Sequence, residues 1–106
     1  MKIKEIADEK IVFDNGDIIS YDHIQDCCEF NYADFESLED PYYGACHTEF
    51  NTPILFETAV GGFRFSNEGK MFYVPCYSEQ NGYYTADLDI YYNDNLVLSM
   101  NDLPII

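Results

Sequence analysis

Seven of the twenty acidic residues lie within nineteen consecutive positions, residues 22–40, a stretch that contains no lysine or arginine. Tyrosines stand in or beside it, at Tyr21, Tyr32, Tyr42 and Tyr43. Carboxylates on a rigid surface can occupy a lysine- and arginine-lined groove built for nucleic-acid phosphates, and tyrosine adds contact area at low entropic cost. We therefore predict a partner-binding surface formed by the seven acidic side chains, Asp22, Asp26, Glu29, Asp34, Glu36, Glu39 and Asp40.

The cysteines allow a second kind of chemistry. A structural zinc ion needs four nitrogen or sulfur ligands in a tetrahedron, and the candidates are Cys27 or Cys28 together with Cys46, His47 and Cys76. The cysteines lack the usual spacing of two to four residues between ligands, and adjacent cysteines on an extended strand point to opposite faces. Reduced, buried thiols without metal are therefore the favoured interpretation, and a zinc-stabilised domain is kept as the alternative.

Catalysis is not expected from these residues. Cys46 and His47 are neighbours in sequence, a spacing that rarely places a thiolate against an imidazole, and an anionic surrounding raises a thiol pKa rather than lowering it. A catalytic carboxylate pair needs a cleft that 106 residues rarely provide. The sequence has no glycine-rich phosphate loop and no calcium loop. We predict a protein that is not an enzyme and that needs no cofactor.

Net charge separates this chain from an average domain. Five basic and twenty acidic residues give −15, and no cation lies between Lys10 and Arg64. Such a field repels nucleic acid and anionic lipid and attracts basic surfaces, although solubility alone is an equally simple reading. The first ten residues lack the apolar core of a signal peptide, and no apolar run is long enough to cross a membrane. The expected compartment is the cytoplasm, where thiols stay reduced.

The elements that must carry these side chains are mainly strands. Asn15-Gly16 separates two alternating apolar segments and predicts a hairpin with a type I′ turn that pairs Phe13 with Ile18. Residues 83–92 alternate in hydropathy, which predicts one buried and one wet face, and Asn81-Gly82 before them is a second hairpin signal. Asp34 is expected to cap a short helix over residues 35–40 that buries Phe35 and Leu38. We predict a single domain, 1–106, of α+β class: a mainly antiparallel sheet of six or seven strands with one short helix packed on it.

Two motifs resemble a family of small uncharacterised phage and bacterial proteins. Its members carry Asp-Cys-Cys-Glu after a first hairpin and a late Ser-Asn-Gly-Tyr-Tyr-Ser before an alternating strand. This chain has Asp26-Cys27-Cys28-Glu29 intact, and Gln80-Asn81-Gly82-Tyr83-Tyr84-Thr85, which departs from the second motif at both ends. The resemblance implies an α+β fold and an origin in a phage or mobile element, and it implies no activity.

These observations predict a non-enzymatic acidic binding protein that blocks a basic nucleic-acid-binding surface of a host protein. It would act as a nucleic-acid mimic and an anti-defence inhibitor. The alternative is a small structural or zinc-stabilised accessory domain with no inhibitory role. The predicted partner is a protein with a basic surface, not a nucleic acid and not a membrane.

Overall fold

The computed structural model of the protein describes residues 1–22, 29–67, 70–82 and 85–106. Within these ranges it contains nine β-strands: β1 Ile3–Ile6, β2 Lys10–Phe13, β3 Ile18–Asp22, β4 Phe30–Ala33, β5 Leu55–Ala59, β6 Gly62–Asn67, β7 Lys70–Glu79, β8 Leu88–Tyr92 and β9 Asn95–Met100. Two 3₁₀ helices, η1 (Phe35–Glu39) and η2 (Ala45–His47), lie between β4 and β5.

The strands form two antiparallel sheets around one hydrophobic core. The first sheet has the order β1-β2-β3-β8-β9 and the second the order β4-β7-β6-β5. Phenylalanines dominate the core, with Phe13 from the first sheet, Phe63 and Phe65 from the second, and Phe50 from the loop before β5. The mainly antiparallel prediction is confirmed, but the expected single sheet of six or seven strands is wrong. The periodicity of a strand gives its buried face, not the sheet to which it belongs.

The predicted helix is present as the 3₁₀ helix η1. The described residues contain no α-helix, so the α part of the predicted α+β class is not supported. Asp34 occupies the N-cap position, but its side chain makes no capping hydrogen bond. Phe35 and Leu38 are buried as expected. Acidic residues near the C-terminal end of η1 oppose the helix dipole, which is consistent with an element this short.

The first hairpin forms at the expected place with a different register. Val12, rather than Phe13, lies opposite Ile18, and the amide of Phe13 donates to the carbonyl of Asp17 at 2.9 Å. Gly16 has a φ of +93°, whereas Asn15 does not have a positive φ. The loop therefore has three residues rather than two, an arrangement in which glycine supplies the left-handed residue after the turn.

The type I′ geometry occurs instead between β8 and β9. Asn93 and Asp94 have φ values of +50° and +66° and connect Tyr92 directly to Asn95. Asn93 also ties this turn to the first hairpin, because its side-chain carbonyl accepts the amide of Ile18 at 2.9 Å. Asp17 accepts a hydrogen bond from the Tyr92 hydroxyl at 2.5 Å, which lowers the pKa of the Asp17 carboxyl.

Asn81-Gly82 does not form the predicted hairpin. β7, which precedes it, pairs with β4 and β6, and β8, which follows it, pairs with β3 and β9. The segment therefore passes from one sheet to the other. Strand β8 begins only at Leu88, although the predicted burial of Leu88 and Ile90 is confirmed.

Buried polar side chains fix that crossing. Asn31 of β4 is fully buried and donates through its amide nitrogen to the carbonyls of Thr85 and Asp87, at 3.0 and 2.9 Å. Its amide oxygen accepts the hydroxyl of Ser78, which lies on the neighbouring strand β7. The chain leading into β8 is thereby held against the second sheet. Throughout the described residues, no helix has the length and apolar character needed to span a membrane.

Candidate functional site

The acidic surface is assembled by packing η1 against β1. Asp8 lies in the turn between β1 and β2, and Glu36 lies on the first turn of η1. Protonated Glu36 donates a hydrogen bond to Asp8, and this bond with the charge of Asp8 raises the pKa of the Glu36 carboxyl. The charges of Glu39 and Asp34 raise it further. Three carboxyl groups from two distant parts of the sequence therefore act on that of Glu36.

A groove of about 220 Å³ opens beside this cluster. Three of its lining residues are acidic, Asp8, Asp34 and Glu36, and none of its described lining residues is basic. The remaining lining is aromatic apart from one alanine, and comprises Tyr21, Phe30, Tyr32 and Phe35. The groove thus combines negative charge with ring surface.

The rings are arranged as two neighbouring pairs. Phe30 and Tyr32 are alternate residues of β4 and therefore point to the same face. Their ring centroids are 4.8 Å apart and their planes differ by 19°, which is a stacked arrangement. Tyr21 and Phe35 meet at 5.9 Å with an interplanar angle of 47°. Phe30 keeps 45% of its surface exposed, which is a high fraction for a phenylalanine.

The two tyrosines of the groove also lie in a negative field. Burial, followed by the charges of Glu9 and Asp8, raises the pKa of the Tyr21 phenol to about 12. Burial, followed by the charges of Glu79 and Asp34, raises the pKa of the Tyr32 phenol. Both phenols therefore stay neutral at physiological pH, so their rings keep an electron-rich face without ionising.

The structure brings together only part of the predicted acidic set. Asp34 and Glu36 line the groove, and Glu39 is exposed on the same 3₁₀ helix. Asp22 instead lies opposite Asp89 in the first sheet, and Asp40 accepts the backbone amide of Tyr42 at 2.9 Å. Neither of these two lines the groove.

Glu29 and Asp26 are the two remaining members of the set. Glu29 is only 9% exposed, so the expectation that it belongs to an accessible acidic surface is wrong. It directly precedes β4, where the chain enters the second sheet. Asp26 lies outside the described residues, as do Cys27 and Cys28.

The described members of the alternative zinc site, Cys46, His47 and Cys76, do not form a metal-binding group. Cys46 and His47 are exposed on η2, whereas Cys76 is fully buried in β7, where desolvation raises its pKa to about 12. Across the part of the chain that the structure describes, no group of three or more histidine, cysteine or acidic residues could hold a metal ion. The alternative zinc site requires Cys46, His47 and Cys76 to lie together. These three described residues do not form such a group.

Sequence reasoning missed Asp8 and the ring surface of Phe30. Asp8 is 28 positions from Glu36, and no local pattern connects a turn after β1 with η1. The alternation of Phe30 and Tyr32 on either side of Asn31 was a usable signal, since it places two rings on one face of a strand. Their association with Asp8 required the tertiary fold.

Tyr42 and Tyr43, the other two tyrosines noted beside the acidic stretch, lie in a different groove. It is lined by aromatic residues and by Lys70, whose ammonium group is 5.1 Å from the centroid of the Phe72 ring. Tyr42 and Tyr43 are 91% and 56% exposed. This second groove already contains a cation of the protein itself, whereas the acidic groove has none among its described lining residues.

Comparison with known protein families, with characterised proteins and with solved structures finds no match to this chain. The resemblance based on the Asp-Cys-Cys-Glu motif therefore stays a prediction.

Proposed function

We propose that this protein is a non-enzymatic binding protein whose acidic surface engages a basic surface of a protein partner. The observation that carries the proposal is the convergence of Asp8, Asp34, Glu36 and Glu39 from two separate segments. The net charge of −15 adds a long-range attraction for basic partners. We further propose that the surface bound is one that normally holds nucleic acid, so that the protein acts as a mimic of phosphates.

Support for the proposal comes from the cost of the arrangement. The neighbouring carboxylates raise the pKa of Glu36, which means that they repel its ionised form, and this repulsion destabilises the free protein at neutral pH. A basic partner would neutralise the charges and relieve the repulsion on binding. A phage or mobile-element origin, as the sequence resemblance implies, would suit an inhibitor of a host nucleic-acid enzyme.

The test uses charge reversal at two exposed positions of the surface. The double variant Glu36→Lys with Glu39→Lys changes the net charge by +4, from −15 to −11. The matched control is Glu49→Lys with Glu57→Lys, which has the same net charge and alters side chains that are 63% and 49% exposed elsewhere. Each control change replaces an ion pair, with the Met1 amino group or with Arg64, by two like charges. Exposed ion pairs contribute about 0–1 kcal/mol, so the control should stay folded.

Partners are captured from host lysate at about 0.1 M salt and released at about 1 M, where the Debye length falls from ~10 to ~3 Å. The purified partner is then tested by competition between the protein and double-stranded DNA or RNA. We expect competition by the native protein and by the control, and a loss of competition with the Glu36/Glu39 variant. A partner held equally well at high salt, or equally well by both variants, would contradict the proposal.

A further inference from the structure

The groove beside the acidic cluster differs from a solvated acidic patch because it has an aromatic interior. Phe30 and Tyr32 are stacked with their centroids 4.8 Å apart, and Phe30 leaves 45% of its surface in contact with solvent. An exposed ring beside carboxylates is unfavourable for the free protein. Apolar surface is more stable when it is removed from water, whereas carboxylates are more stable when they are hydrated. A ligand that uses both ring faces and negative charge would resolve this conflict.

Cations with an apolar stem fit that description. A guanidinium or ammonium group is attracted to the face of an aromatic ring within about 6 Å of its centroid, and its methylenes can cover ring surface. The same protein contains an internal example, because Lys70 lies 5.1 Å from the ring centroid of Phe72 in the other aromatic groove. The acidic groove offers comparable rings with no basic residue among its described lining.

The shape of the groove favours arginine over lysine. Its rings present flat surfaces, and a planar guanidinium stacks on such surfaces, is weakly hydrated, and pairs with carboxylates through a fork of N–H donors. Asp8, Asp34 and Glu36 line the same groove and provide carboxylate oxygens. A volume of about 220 Å³ is large enough for the guanidinium and the methylenes next to it.

We propose that this groove is the anchor site of the partner, and that it holds one arginine side chain between the Phe30–Tyr32 ring pair and the carboxylates of Asp34 and Glu36. The inference rests on the proposed function and deepens it, because it converts a general attraction between charges into a specific side-chain pocket. A buried arginine of this kind would be a binding hot spot, surrounded by weaker charge contacts from the rest of the acidic surface.

The pocket is tested without the partner. The probes are N-acetyl-arginine methylamide, its neutral isostere N-acetyl-citrulline methylamide, and N-acetyl-lysine methylamide. Each is titrated into isotope-labelled protein, and chemical shifts are followed by nuclear magnetic resonance. We expect saturable shifts at Phe30, Tyr32 and Glu36 with an arginine dissociation constant on the order of millimolar. The citrulline probe should bind at least about tenfold more weakly than the arginine probe, because it lacks the positive charge.

Substitutions at two exposed residues test the two parts of the pocket, the aromatic rings and the carboxylates. Phe30→Leu keeps an apolar side chain but removes the ring, and Glu36→Gln keeps the shape but removes the charge. Each should weaken arginine binding about threefold to tenfold. Their matched controls, Tyr43→Leu in the other aromatic groove and Glu49→Gln on a distant loop, should leave it unchanged. All four substituted residues are exposed, so all four variants should keep the spectrum of the native protein.

Three results would overturn the pocket: equal binding of citrulline, shifts spread over the whole acidic surface, or arginine binding that Tyr43→Leu weakens and Phe30→Leu does not. Lysine binding more tightly than arginine would overturn the choice of arginine. If the partner is lost with the Glu36/Glu39 charge reversal but kept by Phe30→Leu, the pocket fails and the acidic surface stands. If the arginine probe binds as expected but no basic, salt-sensitive partner exists, the proposed function fails and the pocket stands.

Discussion

The pKa of the Glu36 carboxyl depends on the other acidic residues of the surface. Its pKa is raised first by the hydrogen bond that protonated Glu36 donates to Asp8, and then by the charge of Asp8. A carboxyl whose pKa is higher in the folded than in the unfolded protein favours folding when it is protonated. This contribution is complete below the unfolded pKa of about 4.3 and is lost as the pH rises through the folded pKa.

Replacing Asp8 with asparagine should therefore move the pKa of Glu36 down towards its ordinary value. The reason is that Asp8→Asn removes the charge of Asp8 and replaces a carboxylate acceptor with an amide, whose N–H can also donate to ionised Glu36. The smaller effects of burial, Glu39 and Asp34 remain. The pKa is measured from the side-chain carboxyl carbon resonance of Glu36 during a pH titration. The loss of thermal stability that is due to Glu36 as the pH rises above its unfolded pKa should shrink in parallel.

Asp94→Asn is the matched control, since it makes the same change in charge and shape at an exposed turn residue that is not among the causes of the Glu36 shift. Asparagine also tolerates the positive φ of +66° at that position. An equal fall in the Glu36 pKa in both variants would indicate a general field effect and would contradict the specific contact with Asp8.

At the level of the element, the sharpest constraint is the approach of β6 to β7. Gly62 lies at the first position of β6, opposite Pro75. A β-carbon built on Gly62 would stand 2.1 Å from the carbonyl oxygen of Val74, and that atom belongs to the backbone. Pro75 lies in β7, a strand paired on both sides. The absence of a side chain at Gly62 lets the two backbones approach at this point.

The substitution Gly62→Ala should destabilise the protein by about 1–3 kcal/mol, the usual cost of overpacking a close-packed interior. The midpoint of thermal unfolding should fall by about 4–8 °C for each kcal/mol in a domain of this size. The free energy of unfolding is measured by urea denaturation. Thr58→Ala, on the exposed side of the same β5–β6 hairpin, is the control and should cost less than about 1 kcal/mol. Equal losses in the two variants would show that the Val74 backbone shifts freely.

For the whole molecule, the balance of twenty acidic and five basic residues sets the response to salt. Net repulsion destabilises the compact state more than the expanded one. Raising sodium chloride from about 0.1 M to about 1 M shortens the Debye length from ~10 to ~3 Å and screens this repulsion. The melting temperature should therefore rise with salt, in contrast to a protein held together by surface ion pairs.

The control is the variant with Glu49→Lys and Glu57→Lys, whose net charge of −11 is −15 + 4. Its melting temperature should rise less over the same range of salt, as measured by differential scanning calorimetry. Potassium chloride should act like sodium chloride, because the cause is screening and not the strengthening of apolar burial by excluded salts such as sulfate. A salt response that does not depend on net charge would contradict this explanation.

The sequence by itself determined the mainly antiparallel character of the fold, the buried faces of the strands it indicated and the sign of the net charge. Alternation along residues 83–92 was enough to predict the burial of Leu88 and Ile90, because successive side chains of a strand point to opposite faces. Asn15-Gly16 marked a true hairpin, and Phe35 and Leu38 were correctly assigned to the core. The concentration of carboxylates at residues 34–39 also indicated where charge would be presented. Each of these properties depends on neighbours within a few positions.

Only the tertiary structure decided which strands share a sheet, and hence which side chains meet. Asn81-Gly82 looked like a hairpin but passes between sheets, because the buried Asn31 amide binds the carbonyls of Thr85 and Asp87. Glu29 looked like part of the acidic surface but is buried where the chain enters β4. Asp8 joined Glu36 across 28 positions, since η1 packs on β1. Packing between distant segments follows from the fit of whole faces, and no local pattern in the sequence records it.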